Sequence, residues 1–366
     1  MRIKISSLEV GKRYIALTLA LLSATVKKTK AGKDYLYCEL FDGEQTMSAN
    51  YWNWNGERKP NNSTVLNVTG TVTEWNGSKQ FTITAMSYNR EANIFDFMPQ
   101  CPHTSVETAW SEAADLINSL KDEVLQTICF GLLNQPTLKQ LWLTAPAAKG
   151  IHHAYVGGTL IHSVSVAKIA GAIAENTPGA NRDLCVAGGL IHDIGKLHGY
   201  SFNGIAPTMT IEGMTLEHLF MGAELVGNFC ESIVDVDNPI VEAKVHLLRH
   251  IILSHHGKLE YGSPVTPMCI EAHIVSKADG IDSTCETIRM ESTKASNSSA
   301  AAPMTEKIYA AGNVPHYTVD YISSIMSAPI KPSDIKADNL MYQVEQDAPG
   351  MDGCATCSLP ELPENE

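Results

Sequence analysis

The segment Leu190-Ile191-His192-Asp193-Ile194-Gly195-Lys196 places a histidine, an aspartate and a lysine inside an otherwise apolar run of the chain. Burying an uncompensated charge in such surroundings is costly, and coordination of a metal ion would compensate it. On one helix, Lys196 stands three positions after Asp193 and four after His192, so all three side chains can face one pocket. The pattern predicts a buried polar centre in a helical domain.

The same half of the chain supplies other side chains of the types that bind metals. The candidate ligands are His162, His192, Asp193, His218, His255, His256 and Asp279. Imidazole and carboxylate ligands favour Mn²⁺, Fe²⁺, Co²⁺, Ni²⁺ or Zn²⁺ over Ca²⁺, and a set without cysteine argues against a structural zinc site. A single histidine in a helix is more often an ordinary core residue, so the prediction of a catalytic metal centre depends on the whole set.

Residues 1–92 have the pattern of a small all-β domain. Strands are predicted at 14–26, 35–41, 46–52, 65–75 and 80–88, separated by turn signals such as Asn76-Gly77. Five strands with polar turns predict a closed barrel of the oligonucleotide-binding (OB) type.

From Ser105 onward the hydrophobic period becomes helical. Helices are predicted at about 105–120, 121–134, 158–175, 183–193, 215–232, 240–254 and 268–284. The polar, low-complexity segment 292–303 is predicted to be a loop. The predicted organisation is an OB barrel at 1–92, a helical connector at 93–150, a metal-binding helical bundle at 151–291, a loop and closing segment at 292–325, and a partly disordered tail at 326–366.

Charge is distributed unevenly along the chain. Residues 1–92 hold 12 Lys/Arg and 8 Asp/Glu, a net of +4, which leaves 15 and 32, a net of −17, for the rest. Cations attract phosphates and aromatic rings stack on bases, so the barrel is predicted to bind single-stranded RNA or DNA. The candidate side chains are Lys27, Lys28, Lys30, Lys33, Tyr35, Tyr37, Trp52 and Trp54. Alternation alone does not separate a binding face from the barrel core.

No apolar run approaches the roughly 20 residues that a membrane-spanning helix needs, and no export signal is recognisable. Seven of the nine cysteines are scattered singly, and Cys354 and Cys357 form a CxxC pair without the four ligands of a structural zinc site. We therefore predict a cytoplasmic protein without a membrane partner. Formation of a homo-oligomer stays open.

The order His162, His192-Asp193 and Asp279 resembles the HD-domain phosphohydrolases, a family named after that dipeptide. The resemblance implies that these four side chains hold a divalent metal ion inside a helical bundle. His218, His255 and His256 stand where the family's two-metal members carry their additional ligands. By resemblance the favoured ion is manganese, with Fe, Co, Ni, Zn and Mg as alternatives.

Further segments resemble the YhaM-type 3′-to-5′ exoribonucleases, which also begin with an OB barrel. The segments are His152–Gly158, Leu253–Gly257, Glu260–Pro264 and Glu271–His273, and the similarity covers about residues 14–317. Two departures are the polar stretch 292–303 and the sequence Gly280-Ile281-Asp282.

Three catalytic roles follow from the resemblance together with metal chemistry. Asp193 would bridge two ions, and Lys196 would neutralise charge on the phosphoryl oxygens unless it only completes a helix C-terminus. His153 would contact the phosphate or else cap a loop.

The leading functional hypothesis is a metal-dependent 3′-to-5′ exonuclease acting on single-stranded RNA, with DNA as a further substrate. One alternative is a phosphohydrolase of small nucleotides with an accessory barrel. Another is a nucleic-acid-binding regulatory module with a vestigial metal site, which would require missing ligands, and the sequence lacks none of them.

Overall fold

The computed structural model describes residues 3–75, 77–149, 153–203, 205–298 and 302–329. Five strands form a closed barrel in the order β1-β2-β3-β5-β4: β1 (Arg13–Lys28), β2 (Asp34–Phe41), β3 (Thr46–Tyr51), β4 (Thr64–Trp75) and β5 (Ser78–Tyr88). Neighbouring strands are antiparallel except β3 and β5, whose parallel pairing closes the barrel. The predicted N-terminal OB-type barrel is confirmed.

Strand β2 shows which face of the barrel is the core. Leu36, Cys38 and Leu40 are fully buried inside it, while Tyr35 and Tyr37 alternate with them and point outward, partly exposed. Successive side chains of a strand lie on opposite faces, so the two tyrosines are excluded from the core. The sequence pattern could not tell the core face of this strand from its outer face, and the structure shows that the tyrosines are on the outer one.

A mostly helical region follows the barrel, as predicted. Its helices are α1 (Val106–Asn118), α2 (Glu123–Asn134), α3 (Pro136–Thr144), α4 (Gly158–Glu175), α5 (Arg182–Ile191), α6 (Lys196–Gly199), α7 (Ile211–Thr215), α8 (Glu217–Ile233), α9 (Pro239–Ser254), α10 (Ile270–Ser298) and α11 (Val319–Met326). A short hairpin, β6 (Tyr200–Asn203) and β7 (Ala206–Met209), lies between α6 and α7. Within the described ranges, no helix is both long and apolar enough to cross a membrane.

Two local predictions about the helices are wrong. His192 and Asp193 do not continue α5, because residues 192–195 form a turn between α5 and α6. The predicted loop from Ser292 is helical as far as Ser298, because the side chain of Ser292 is buried and Ser296 Oγ donates a hydrogen bond to Asp320 Oδ2. Tertiary packing outweighs the low-complexity composition there.

A shared apolar cluster joins the barrel to the helical region. Ala20 and Val65 of the barrel pack with Phe97 and Met98 of the connecting segment and with Val156, which precedes α4. The barrel therefore does not end at an unpacked linker. Cys354, Cys357 and most of the predicted tail lie outside the described residues, as does His152.

Candidate metal centre

Close packing of α5 on α4 brings His192 and His162 together. A Cβ on Gly189 would lie 2.7 Å from Ala167 Cα, so only glycine permits this approach of the two helices. The chain turns sharply just after α5, and His192 Nε2 then lies 3.1 Å from His162 Nε2. Both side chains are buried.

The carboxylate of Asp193 lies at the centre of the cluster, and its two oxygens face different histidines. Oδ2 is 3.3 Å from His162 Nε2 and 3.5 Å from His192 Nε2. Oδ1 is 3.4 Å from His218 Nε2 and 3.6 Å from His255 Nε2. One carboxylate thus lies between two pairs of imidazoles, a position that would let it serve two metal ions at once.

Asp279, on α10, completes the His162 side of the centre. Its Oδ1 lies 3.2 Å from His162 Nε2, and potential ligand atoms of His192, His255 and Asp279 all lie within 4.8 Å of one another. His256 groups in the same way with His218 and His255. The fold therefore brings all seven candidate ligands together from three helices, α4, α8 and α10, and from the two turns that follow α5 and α9.

Each of the five histidines among the candidate ligands contacts another protein group through its Nδ1 atom. Three of these atoms lie close to backbone carbonyls: Gly189 O at 2.8 Å for His192, Ile252 O at 2.7 Å for His255, and Tyr261 O at 2.9 Å for His256. The other two lie beside carboxylates: Asp282 Oδ2 at 2.7 Å for His162 and Glu217 Oε2 at 2.7 Å for His218. Such a contact selects the tautomer that presents Nε2 as a metal ligand.

The electrostatics favour the protonation states that bind metals. Burial lowers the pKa of His192 to about 3, and burial with the neighbouring His255 and His218 lowers the pKa of His256 to about 4. Burial alone would raise the pKa of Asp193, but Lys196 and His192 hold it well below its ordinary range. His192 and His256 are therefore neutral near neutral pH, whereas Asp193 is ionised, and these are the forms that bind metals.

His162 behaves differently because three carboxylates surround it. Burial lowers the pKa of His162, but contacts with Asp193, Asp279 and Asp282 raise it well above its ordinary value. A cation bound between these carboxylates would neutralise their charge in place of the protonated imidazole, so metal binding would release the proton of His162.

The polar atoms at the centre fit a divalent cation. Among the residues that the structure describes, none donates a hydrogen bond to either oxygen of Asp193 and none forms one with His218 Nε2, although all three atoms are buried. Lys196 Nζ, 2.7 Å from Asp193 Oδ2, supplies only an ion pair to one of the oxygens. Because buried polar atoms rarely stay without a hydrogen bond, a cation with oxygen and nitrogen ligands is the natural partner.

Asp282 is a site residue that the sequence reasoning missed. It is buried on α10 and its Oδ2 contacts His162 Nδ1, while Ser165 Oγ donates a short hydrogen bond to its other oxygen. Burial raises the pKa of Asp282, but His153 and His162 lower it well below its ordinary range. The spacing Asp279-x-x-Asp282 was the available signal, because side chains three apart share one face of a helix.

Sequence reasoning left His153 two roles, contact with a phosphate or capping of a loop, and the structure places its side chain against Tyr155 and Asp282. Its Nδ1 lies 2.6 Å from Tyr155 Oη and its Nε2 lies 2.6 Å from Asp282 Oδ2, in a buried position. Both ring nitrogens are engaged, so neither faces a phosphate. His153 instead contacts the carboxylate of Asp282, which in turn orients His162. The φ of His153 is 53°, a strained backbone conformation of the kind often found at functional sites.

Asp282→Asn is expected to weaken metal binding about 10- to 100-fold, the usual effect of removing the partner that orients a ligand. The amide keeps the shape but no longer provides a carboxylate for His162 Nδ1. Equilibrium titration of the metal-depleted protein with Mn²⁺ measures the change. Asp282→Glu, if it restores the carboxylate contact, should recover part of the affinity, whereas equal affinity in Asp282→Asn and the parent protein would contradict the role.

The proposed nucleic-acid surface lies on the outside of the barrel. Rings of Tyr35 and Trp52 approach with centroids 4.4 Å apart, and Lys27 Nζ lies 3.6 Å above the ring of Tyr37. The turn between β1 and β2 carries Lys30 and Lys33, both exposed, while Lys28 pairs with Asp34 at 3.0 Å. Trp54 departs from the prediction because it packs against the barrel core.

Comparison with protein families agrees with this geometry. Residues 159–284, about a third of the chain, match the family model described as the HD domain. The matched range contains all seven candidate ligands. The HD family model implies a metal-dependent hydrolase, a class for which the buried histidines and carboxylates in this part of the chain are suited.

Among solved structures, the chain is similar to two structures of domains of replication protein A from Methanococcus maripaludis. A crystal structure of one domain is 17% identical, covering 24% of this chain and 94% of that one, with a TM-score of 0.21. A solution structure of its second OB-fold domain is 15% identical, covering 25% and 99%, with a TM-score of 0.20.

Proposed function

We propose that this protein is a metal-dependent 3′-to-5′ exonuclease that hydrolyses the phosphodiester bonds of single-stranded RNA. The observation that carries the proposal is the division of the Asp193 carboxylate between two pairs of imidazoles, His162 with His192 and His218 with His255. Phosphodiester hydrolysis commonly uses two metal ions about 3.5–4 Å apart, and a bridging carboxylate suits that spacing.

The chain's own residues divide the work of hydrolysis between them. Ions bound to the histidines and carboxylates would lower the pKa of a bound water and stabilise the attacking and leaving oxygens. Lys196 stays cationic, because Asp193 raises its pKa against the effect of burial, and it can neutralise charge that develops on the phosphoryl oxygens. Asp282 and His153 hold His162 in its orientation.

A polymeric substrate is supported by the barrel. Its outer face combines the aromatic pair Tyr35 and Trp52 with the cations of Lys27, Lys30 and Lys33. Aromatic rings stack on bases of any sequence, and cations follow the phosphate backbone. The net charge of +4 over residues 1–92 opposes the −17 of the remainder, so the barrel is the part of the chain to which a polyanion is attracted.

A second candidate, hydrolysis of free nucleotides, is favoured by one specific observation. A cavity of about 1030 Å³ opens beside His255, His256 and Asp279. Small-molecule pockets commonly measure about 300–1,000 Å³, so a single nucleotide fits there without the barrel.

The deciding experiment is hydrolysis of an end-labelled single-stranded RNA by the full chain with Mn²⁺ and with chelator, resolved by product length. A panel of free nucleotides and a single-stranded DNA are tested beside it. We expect a metal-dependent ladder that shortens from the 3′ end. If the RNA stays intact while a free nucleotide is hydrolysed, the exonuclease proposal is wrong and the protein is a hydrolase of free nucleotides.

Point variants on the barrel test its contribution without unfolding it. Deleting residues 1–92 would expose the apolar cluster of Phe97, Met98 and Val156, so Tyr35→Ala is the better change. We expect its affinity for RNA to fall about fivefold or more, as stacking on a base is worth about 1–3 kcal/mol. Trp75→Ala, an exposed aromatic at the opposite end of the strands from Trp52, is the matched control.

A further inference from the structure

The cavity beside the metal centre has two kinds of wall. Metal-ligand candidates His255, His256 and Asp279 form one side, and Lys258, Tyr261 and Lys277 are among the residues that form the others. A phosphate held at the centre would therefore have the rest of its molecule inside this cavity. The residues on the far walls decide which chemical groups are accepted there.

Tyr261 offers an exposed aromatic face in the cavity and is tied to the metal centre through its backbone. It ends a short 3₁₀ turn, Leu259–Tyr261, and 61% of its surface is accessible. Its carbonyl oxygen lies 2.9 Å from His256 Nδ1, so the loop that carries the ring also orients a candidate ligand. The loop that carries the ring therefore lies against the metal centre.

Two lysines add positive charge to this otherwise acidic half of the chain. Lys258 Nζ lies 5.0 Å from the ring centroid of Tyr261 and pairs with Glu260 at 3.2 Å. Lys277 is exposed on α10, and in the part of the chain that the structure describes it makes no ion pair. An unpaired lysine and an aromatic face that line the same cavity are suited to a ligand that joins an anion to a flat ring.

We propose that this cavity binds a nucleoside monophosphate unit, with the base stacked on Tyr261 and a phosphate oxygen contacted by Lys277. In the exonuclease this unit is the 3′-terminal nucleotide of the strand. The inference rests on the proposed function for that assignment, whereas binding of a mononucleotide needs neither the barrel nor turnover. Stacking accepts any base, so the subsite is tolerant of sequence and selects for the presence of a base.

The test is equilibrium binding of adenosine 5′-monophosphate and of ribose 5-phosphate, which lacks the base, to the Mn²⁺-loaded full chain by calorimetry. We expect the nucleotide to bind about 5- to 150-fold more tightly than the sugar phosphate, the range that stacking of one base provides. Tyr261→Ala should remove this preference and Tyr261→Phe should keep it. Lys277→Gln should weaken both ligands by a similar factor.

Two controls separate a binding role from damage to the site. Tyr309→Ala removes a tyrosine that is 88% exposed and does not line the cavity, so the preference should persist. Metal content should be retained in the Tyr261 variants, because the carbonyl beside His256 belongs to the backbone.

The outcomes separate this inference from the proposed exonuclease. Equal affinity of the parent protein for the two ligands, or a preference that survives Tyr261→Ala, would overturn the subsite. A preference that depends on Tyr261 in a protein that leaves RNA intact would support the subsite and reject the exonuclease. If the protein shortens RNA from its 3′ end but shows no preference for the nucleotide over the sugar phosphate, the exonuclease is supported and the subsite is rejected.

Discussion

Asp193→Asn is expected to abolish phosphodiester hydrolysis and to remove most of the bound metal while the helical fold persists. The carboxylate faces four imidazoles at 3.3–3.6 Å. An amide has no negative charge, so it cannot replace the carboxylate between two cations. We expect kcat to fall about 10³-fold or more, equivalent to about 4 kcal/mol of transition-state stabilisation. Elemental analysis, circular dichroism and hydrolysis of the end-labelled RNA measure the three effects.

Glu224→Gln is the matched control for this variant, because it makes the same change from carboxylate to amide at an exposed position of α8. Its metal content and turnover should equal those of the parent protein. If Asp193→Asn retained both metal and activity, the bridging role would be wrong, and if it unfolded, the loss of activity would have to be attributed to stability instead.

Gly195→Ala is expected to disrupt the second half of the metal centre and to lower the melting temperature. A Cβ on Gly195 would lie 2.0 Å from the backbone oxygen of His218 and 2.7 Å from the nitrogen of Gly222, so the start of α8 would have to move. Overpacking of this kind costs about 1–3 kcal/mol, and each kcal/mol lowers Tm by about 2–4 °C in a domain of this size. The movement carries His218 away from Asp193.

The expected readouts are a lower melting temperature without added metal and a reduced metal stoichiometry with it. The φ of Gly195 is −63°, which alanine adopts freely, so the close approach alone explains the effect. Gly227→Ala is the control, because a Cβ there would meet only the mobile end of the Arg249 side chain at 3.3 Å. Full metal stoichiometry in Gly195→Ala would show that α8 adjusts without displacing His218.

The orientation of the candidate ligand His218 depends on its neighbour Glu217. Glu217 has a φ of 64°, an uncommon conformation for a residue with a side chain, and its carboxylate lies beside His218 Nδ1. Contact with His218 lowers the pKa of Glu217 to about 2, so the carboxylate stays charged over the range in which the histidine is neutral. The strained backbone at Glu217 therefore coincides with the orientation of a candidate ligand.

The order of elements and the candidate ligands could be predicted from local sequence. Alternation with a period of two predicted the five strands, and the helical period predicted α4, α5, α8 and α9 to within a few residues. The His192-Asp193 dipeptide was informative because polar side chains in an apolar run need a buried partner. These properties depend on neighbouring residues alone, so the sequence contains them.

Only the tertiary structure decided which side chains meet. Asp282 was passed over, and His153 was left between contact with a phosphate and capping of a loop, because the contacts of Asp282 with His153 and His162 span more than 100 residues of chain. The outward face of Tyr35 likewise depended on barrel closure, since alternation defines two faces but does not say which one is enclosed. Long-range contacts follow from how helices and strands pack, and spacing along the chain does not encode them.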